Sequence, residues 1–204
     1  RPAVGSVLAK LYGQRDPGIP ASVALAEKTS HVPWSEPGPA GFLGAAYQPF
    51  RPNGKGMEDL TLNGISLDRL EDRKTLLTSL DHLKRAADSR GMMNGMDAFT
   101  EAAFGVLTSS KLADALDISK EPAEVRERYG DGKPWKYQYD GAPTCNEQIL
   151  IARRLVEAGV RYVTVHYDCV DGYSWDSHRN SDDVRRHLLP TFDQACSALL
   201  TDLD

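Results

Sequence analysis

The sequence lacks the features that would tie it to a membrane or to a cysteine framework. It contains 3 cysteines in 204 residues, widely spaced and without a Cys-x-x-Cys pair. Neither a disulfide framework nor a zinc–thiolate site is therefore indicated. No apolar run approaches the roughly 18 residues of a membrane-spanning helix, and the first residues lack the apolar core of a signal peptide. The sequence as it stands predicts a soluble chain.

An excess of basic charge is also missing. The chain carries 24 Lys and Arg residues against 29 Asp and Glu residues, for a formal net charge of −5 at pH 7. This balance gives no electrostatic reason to expect a nucleic-acid partner. The length of 204 residues is enough for one domain with a substantial core. We expect a single domain over residues 1–204 with no nucleic-acid partner and no membrane span.

Proline and glycine, in contrast, are concentrated near the start of the chain. The apolar positions between Pro2 and Gly13 predict a short helix with a glycine stop. Residues 14–56 then form a long Pro/Gly-rich excursion, broken only by "SVALA" and "GFLGAAYQPF". We expect this excursion to be irregular but ordered. The residues predicted to pin it are Trp34, Phe42, Leu43, Tyr47 and Phe50.

Helical spacing dominates the middle of the chain. Leucines from Leu67 to Leu83 keep helical spacing after a candidate N-cap at Ser66. Three further helices are predicted over "MDAFTEAAFGVLTS", "SSKLADALDI" and "EPAEVRERYG". The stretch "GDGKPWKYQYDGAPT" predicts an exposed loop.

The last third of the sequence changes to an α/β pattern. "CNEQILIARRLVEAG" is an amphipathic helix that ends at Gly159, and "VRYVTVHY" is a β-branched and aromatic run of strand length. A final helix follows in "SDDVRRHLLPTFDQACSALLTDLD". This order predicts an open α/β sheet in which "RYVTVHY" is an inner parallel strand, flanked by helices near residues 146–157 and 181–203.

The connection between this strand and the last helix is rich in potential ligands. Ligands of open α/β sheets gather at the carboxyl ends of the strands and at the helix N-termini that follow them. Asp176 and His178 lie two residues apart in "WDSH". A carboxylate oxygen and an imidazole nitrogen suit zinc or a similar divalent ion. His166, Asp168 and Asp171 are further candidates in the same connection.

A purely structural interpretation of this connection is also open. Asn180 or Ser181 would cap the last helix, and Asp182 and Asp183 would complement its positive end, leaving His178 exposed. The usual nucleophile and phosphate-loop signatures, including Gly-x-Ser-x-Gly, are not present in the sequence.

Four segments together resemble a known family. They are "LTLNGISLDRLEDRKTLLTSLD", "MDAFTEAAFGVLTSSKLADALDISKEPAEVRERYG", "NEQILIARRLVEAGVRYVTVHYD" and "WDSH". They are similar to the bacterial domain-of-unknown-function 1501 family, which in turn is similar to the sulfatase and alkaline-phosphatase superfamily. The resemblance covers nearly the whole chain.

The resemblance implies an alkaline-phosphatase-like α/β/α sandwich with a mostly parallel sheet and a helical layer. In that superfamily a metal centre holds a sulfate or phosphate ester for attack by Ser, Thr or a modified Cys. "WDSH" matches the family's Trp-Asp-Thr-His motif, with Ser177 in the Thr position. The resemblance therefore implies Asp176 and His178 as metal residues, for zinc or calcium. The connection that precedes the motif, "HYDCVDGYS", is longer than the family's usual link.

The resemblance also implies an internal fragment. Family members carry an upstream export signal, first metal ligand and nucleophile, and downstream a Gly-Arg-Thr-Pro segment and a second Asp-His motif. None of these occurs in the sequence. We therefore expect a truncated domain with an incomplete metal site, from an exported or periplasmic protein.

Two functions follow as hypotheses. The first is a metal-dependent hydrolase of sulfate or phosphate esters, acting on an anionic ester or glycan substrate. The alternative is a non-catalytic, sulfatase-like binding or scaffold protein that recognises glycans or protein partners by aromatic stacking. The aromatic residues suited to that role are Trp34, Trp135, Tyr137 and Tyr139.

Overall fold

A computed structural model describes residues 1–26, 38–52, 100, 103–106, 109–130, 135–137, 140–142, 146–166, 175 and 181–204. Its helices and strands are α1 Val4–Tyr12, β1 Ser22–Ala26, α2 Lys111–Leu116, α3 Ala123–Tyr129, β2 Trp135–Tyr137, β3 Asp140–Ala142, α4 Asn146–Ala158, β4 Tyr162–His166, α5 Ser181–Asp183 and α6 Leu189–Leu203. Short 3₁₀ helices span Gly41–Leu43, Ala45–Tyr47 and Ile118–Lys120, and a π-helical turn, Val184–Leu188, joins α5 to α6. The chain is a mixed helix and sheet protein.

The larger sheet pairs β1 with β4 in parallel, so that Ser22 lies opposite Tyr162 and Ala26 opposite His166. Phe50 adds a single bridge on the other edge of β1. Its N–H donates to the carbonyl of Ser22 at 3.0 Å, and its carbonyl accepts from the N–H of Ala24 at 2.8 Å. The predicted parallel strand is confirmed at β4. Within the described residues, however, β1 is the inner strand of this sheet and β4 is not.

The two faces of this sheet carry different side chains because side chains alternate along a strand. Val23 and Leu25 point into the main hydrophobic core, where Leu155 of α4 is fully buried. Ser22 and Tyr162 lie on the opposite face, beneath α1. A Cβ at Gly5 would lie 3.0 Å from the Cβ of Ser22 and 3.2 Å from the Cδ1 of Tyr162. Glycine at this position therefore allows the close approach of α1, and helices cover both faces of the β1–β4 pair.

The main core is built largely from aliphatic side chains of β1, α2 and α4. Its fully or nearly fully buried members are Ile19, Val23, Leu25, Val106, Leu112, Ala115, Leu155 and Val160. Val163 and Val165 of β4 pack against it. The core therefore lies between the sheet and the helices α2 and α4.

A second core joins α3, α4 and α6. Its buried members are Tyr129, Ile149, Leu150, Ala195 and Ala198. Beside it, Asn146 at the first position of α4 is 1% exposed. Its side-chain amide donates to the carbonyls of Tyr129 and Thr191. This one side chain therefore connects the end of α3 and the start of α6 to α4.

Several predicted helix limits are confirmed. The first helix ends at Gly13, and the amphipathic helix α4 ends at Gly159, with φ values of 60° and 113°. L-amino acids with a side chain rarely adopt such values, so glycine stops both helices. Of the predicted helix "MDAFTEAAFGVLTS", residues 100 and 103–106 are described and are helical. The helix predicted after Ser66 lies outside the described residues.

Three predictions need correction or restriction. "SVALA" was assigned to an irregular excursion, but it forms β1, whose first four residues are buried. Phe42, predicted to pin the excursion, is 84% exposed, whereas Phe50 does pack against the main core. Trp34 lies outside the described residues. The loop predicted over residues 130–144 contains an antiparallel hairpin of β2 and β3.

Within the ranges that the structure describes, no helix is both long and apolar enough to cross a membrane.

Candidate functional site

The carboxyl ends of β1 and β4 define one edge of the parallel sheet. Ala26 and His166 are the last residues of the two strands and are paired in register. Parallel strands end at the same edge, and ligands of open α/β sheets bind outside that edge. His166, a predicted candidate ligand, therefore lies at this edge of the sheet, and it is partly buried.

The other predicted ligands cannot be located in the same way. Asp168, Asp171, Asp176 and His178 lie outside the described residues, as does Ser177. Their assignment as metal residues stays a prediction. Among the residues that are described, no group of three or more His, Cys, Asp or Glu side chains is arranged to hold a metal ion.

Trp175, the residue directly before Asp176, is described and is partly buried. Its ring meets the ring of Phe192 on α6 edge to face, with centroids 5.9 Å apart and an interplanar angle of 74°. Such aromatic pairs contribute about 0.5–1.5 kcal/mol beyond the area that they bury. The first residue of the "WDSH" motif is thus attached to the last helix.

The helical segment after the motif begins at Ser181, the predicted start of the last helix. Asn180, one of its two candidate caps, lies outside the described residues. The carboxylate of Asp182 accepts from Arg185 at 2.8 Å and from Arg186 at 2.7 Å. The hydrogen bond from Arg185 is the main cause that holds the pKa of Asp182 below its usual value. The charge of Asp182 is therefore neutralised locally by two arginines on the next turn.

A π-helical turn, Val184–Leu188, separates this start from α6. Pro190 follows as the second residue of α6 and has no N–H with which to continue the α-helical hydrogen-bond pattern. A proline at this position favours the wider turn before it. Single π turns within helices occur often at functional sites. The sequence contained the signal, because Pro190 interrupts an otherwise continuous apolar helix pattern.

A separate cluster of charges was not foreseen from the sequence. Arg153 of α4 contacts Asp202 of α6 at 2.5 Å and Glu121 at 2.8 Å. Arg154 also pairs with Glu121. The side chains of Arg153, Arg154, Glu121 and Asp202 are each between 9% and 13% exposed. The adjacent "RR" pair in an amphipathic helix was the only available signal, and it did not identify the partners.

This cluster shifts several pKa values. Burial raises the pKa of Asp202, but hydrogen bonds from Arg153, Tyr129 and Arg128 outweigh burial and hold this pKa below its usual value. Burial and then the hydrogen bond to Asp202 raise the pKa of Tyr129 to about 12. Each of these charges is paired with another protein group. The cluster therefore has the character of a structural tie between α3, α4 and α6.

An open cleft of about 660 Å³ lies between α3, α4 and α6. Its walls carry charges of both signs from Arg126, Glu127 and Glu147, above the apolar Leu150. This mixture of charges does not select an anionic or a cationic ligand.

The arrangement described above is that of a mixed α/β protein whose candidate ligand site is the carboxyl edge of its parallel strands. Comparison with known families is more specific: the chain matches, over residues 1–204, the family described as a protein of unknown function, DUF1501. The chain belongs to that family, and the membership predicted from its sequence segments is confirmed. No curated protein and no solved structure matches the chain.

Proposed function

We propose that this chain is part of a metal-dependent hydrolase of sulfate or phosphate esters, with Asp176 and His178 as metal ligands. The proposal includes an alkaline-phosphatase-like α/β/α sandwich. The observation that supports it best is the end of β4 at His166, in register with the end of β1. The "WDSH" segment follows that strand end in the sequence, as ligand-bearing segments do in open α/β sheets.

The helices on both faces of the β1–β4 pair also favour the sandwich. α1 covers the face of Ser22 and Tyr162, and α4 contributes Leu155 to the opposite face. The sequence resemblance adds the ligand pair and an exported or periplasmic location to the proposal. A bound zinc or calcium ion would polarise the ester and stabilise its developing negative charge.

In this proposal, residues of the chain bind the ion and attach the motif to the last helix. The carboxylate of Asp176 and the imidazole of His178 bind the ion, and His166 lies at the adjacent strand end. Trp175 attaches the motif to α6 through Phe192. The nucleophile and the further ligands are not assigned to residues of this chain.

The test is the metal content and the esterase activity of the full-length protein, compared with its Asp176→Ala and His178→Ala variants. We expect metal affinity to fall about tenfold or more in each variant, since even changes behind the direct ligands cost this much. His187→Ala is the matched control, because His187 is an exposed histidine in the π-helical turn of the next helical segment. Equal metal content and equal activity in all four proteins would refute the proposal and favour the helix-cap interpretation.

The second candidate function is a non-catalytic binding or scaffold protein for glycans or protein partners. It is favoured by Trp135 and Tyr137, which both lie in β2, one strand of a two-stranded hairpin. Tyr139 and Trp34, the other proposed stacking residues, lie outside the described residues. A Trp135→Ala variant that loses glycan binding while metal content and esterase activity are absent from the wild type would support this alternative.

A further inference from the structure

The last helix, α6, carries apolar side chains on two faces. On one face, Ala195 and Ala198 are 0% and 7% exposed and pack in the core shared with α3 and α4. Residues three or four positions apart share one side of a helix, and such spacing defines a second apolar row, here called the α6 seam. It consists of Leu189, Phe192, Cys196, Leu200 and Leu203. A surface helix with one apolar face normally carries polar residues opposite the core, so a second apolar row indicates a further contact.

The α6 seam is exposed to solvent along its length. Leu200 and Leu203 are 69% and 63% exposed, Leu189 is 46% exposed, and Phe192 is 39% exposed with its ring contacts in place. Cys196, in the middle of the row, is partly buried. Single exposed leucines are ordinary, whereas a row of neighbouring apolar side chains on the surface marks an interaction site.

The α6 seam is held in a fixed orientation by contacts on the other side of the helix. Asn146 donates to the carbonyl of Thr191 near the start of α6. Near its end, Asp202 accepts from Arg153 at 2.5 Å. These contacts and the two buried alanines prevent α6 from rotating to bury the row within its own chain.

The spacing of the α6 seam is the same in both directions. Its successive members are 3, 4, 4 and 3 residues apart, so the row is symmetric about Cys196. Two antiparallel copies would place Leu189 of one copy opposite Leu203 of the other, Phe192 opposite Leu200, and Cys196 opposite itself. Steps of three and four residues are those of the apolar contact between two packed helices. A row that is complementary to itself in this way fits the two-fold interface of a homodimer.

The charges at the two ends of the helical segment favour the same antiparallel orientation. Arg185 and Arg186, with side chains 69% and 63% exposed, share the single carboxylate of Asp182. At the other end, Asp204 is exposed, and the end of the helix adds partial negative charge. In the register centred on Cys196, the two arginines of one copy lie within about one helical turn of the Asp204 position in the other. Opposite charges at such a distance fix register and orientation.

We propose that the α6 seam binds the same seam of a second copy of this chain, forming an antiparallel two-fold dimer centred on Cys196. This inference does not depend on the proposed hydrolase function. The dimer removes from water the apolar side chains that a single copy leaves exposed. It also brings the basic start of each helical segment to the acidic end of the other.

The first experiment measures dimerisation of the full-length protein by analytical ultracentrifugation over a range of concentrations. Leu189→Lys and Leu203→Glu each introduce a charge into the seam of both copies, and a double variant carries both changes in one chain. The two positions lie about 21 Å apart along α6, too far to pair within one copy. Leu11→Lys is the matched control, because Leu11 is a leucine of α1 and is 67% exposed.

We expect the wild type and Leu11→Lys to dimerise with the same affinity. Each single seam variant should dimerise at least about tenfold more weakly, because it buries a charge without a partner. The double variant should regain most of this loss, because each introduced lysine then meets a glutamate of the other copy. In dilute, monomeric solution all variants should keep the unfolding midpoint of the wild type, because the changed positions are exposed in a single copy.

The second experiment tests the position of the two-fold axis in the wild type. Helices whose axes are about 8–10 Å apart bring facing Cα atoms within about 6 Å, which is a disulfide distance. Copper phenanthroline in air, with oxygen as the electron acceptor, should oxidise the two thiols to a Cys196–Cys196 disulfide, identified by peptide mapping. Burial and the charge of Asp193 raise the pKa of the Cys196 thiol, so the reaction is run at alkaline pH. Cys196→Ser should still dimerise but should not form this bond.

Several results would overturn the proposal. A full-length protein that stays monomeric at every concentration would indicate that another segment or another protein covers the α6 seam. A dimer that both single seam variants leave intact would place the interface elsewhere, and an equal loss in Leu11→Lys would show that the effect is not specific to the seam. A double variant that regains no affinity, or a wild-type dimer without the Cys196–Cys196 bond, would exclude the antiparallel register.

Discussion

His166 lies directly opposite Ala26 as the last pair of the parallel β1–β4 ladder. The two strands run in the same direction, so the chain leaves both at the same edge of the sheet. The "WDSH" motif follows His166 in the sequence, and Trp175 of this motif contacts Phe192 on α6. The strand end at His166 and the contact between Trp175 and α6 are therefore the described features that precede and begin the motif. The core, the backbone contacts and the charge cluster hold β4 and α6 in place.

The core beneath the sheet should be sensitive to loss of volume at Leu155. This residue of α4 is 0% exposed and packs in the core that contains Val23 and Leu25. Leu155→Ala should lower the free energy of unfolding by about 2–5 kcal/mol, since it leaves a cavity. Leu200→Ala, at a 69% exposed position, should change it by less than about 0.5 kcal/mol. Chemical denaturation measures both, and similar losses in the two variants would contradict the assigned core.

Gly105 should tolerate no side chain. A Cβ at this position would lie 2.1 Å from the carbonyl oxygen of Pro17, which is a backbone atom and cannot rotate away. We expect Gly105→Ala to destabilise the protein by about 2 kcal/mol or more. Gly5→Ala is the comparison, because its new Cβ would meet the Ser22 side chain at 3.0 Å. Thermal unfolding should rank Gly105→Ala as the less stable variant, and the reverse order would count against the packing of residues 103–106 on Pro17.

The charge cluster around Asp202 should contribute to stability at neutral pH. Asp202→Asn removes the charge that Arg153 and Arg128 share, and it weakens the acceptor for the Tyr129 hydroxyl. We expect a loss of about 2 kcal/mol in the free energy of unfolding at pH 7. Asp204→Asn, at an exposed position after α6, is the control and should be near neutral. Denaturant titration of the two variants distinguishes a specific contact from a general effect of charge.

The same cluster predicts the direction of the pH dependence. The pKa of Asp202 is lower in the folded protein than its usual value, so the folded state favours the ionised carboxylate. This stabilisation is fully present above the unfolded pKa of about 3.9 and is lost as the pH falls through the lower folded value. The stability difference between wild type and Asp202→Asn should therefore shrink below about pH 4. A difference that grows with acidification would contradict the shift.

The helices were the most predictable part of the fold, because their signals are local. Gly13 and Gly159 end α1 and α4 where the apolar spacing ends, and a glycine can adopt the positive φ that the stop requires. The strand β4 was also evident from its run of β-branched and aromatic residues. These patterns depend on neighbours in the sequence and need no knowledge of the tertiary partners.

The place of β1 was less predictable because it depends on distant partners. "SVALA" is short and lies among prolines and glycines, yet its pairing with residues 162–166 makes it the inner strand of the described sheet. Pairing across such a distance leaves little trace in a single sequence. The hairpin of β2 and β3 is a local pairing, and it was missed because each of its strands has only three residues.

In the candidate site, too, the features set by local sequence were predictable and those set by tertiary packing were not. His166 could be placed at a strand end from the alternation of apolar residues, and the structure confirms that position. The contact between Trp175 and Phe192 could not be foreseen, because it depends on how α6 packs against α3 and α4. The roles of Asp176 and His178 come from the family resemblance and stay a prediction.

The most direct test of the metal site is the anomalous diffraction of crystals of the full-length protein grown with zinc. We predict one strong zinc peak about 2.0–2.2 Å from a carboxylate oxygen of Asp176 and from a ring nitrogen of His178. This peak should lie outside the carboxyl ends of β1 and β4, and it should disappear in His178→Ala crystals but persist in His187→Ala crystals. A zinc peak held by other residues, with Asp176 and His178 both turned to solvent, would contradict the proposed metal site.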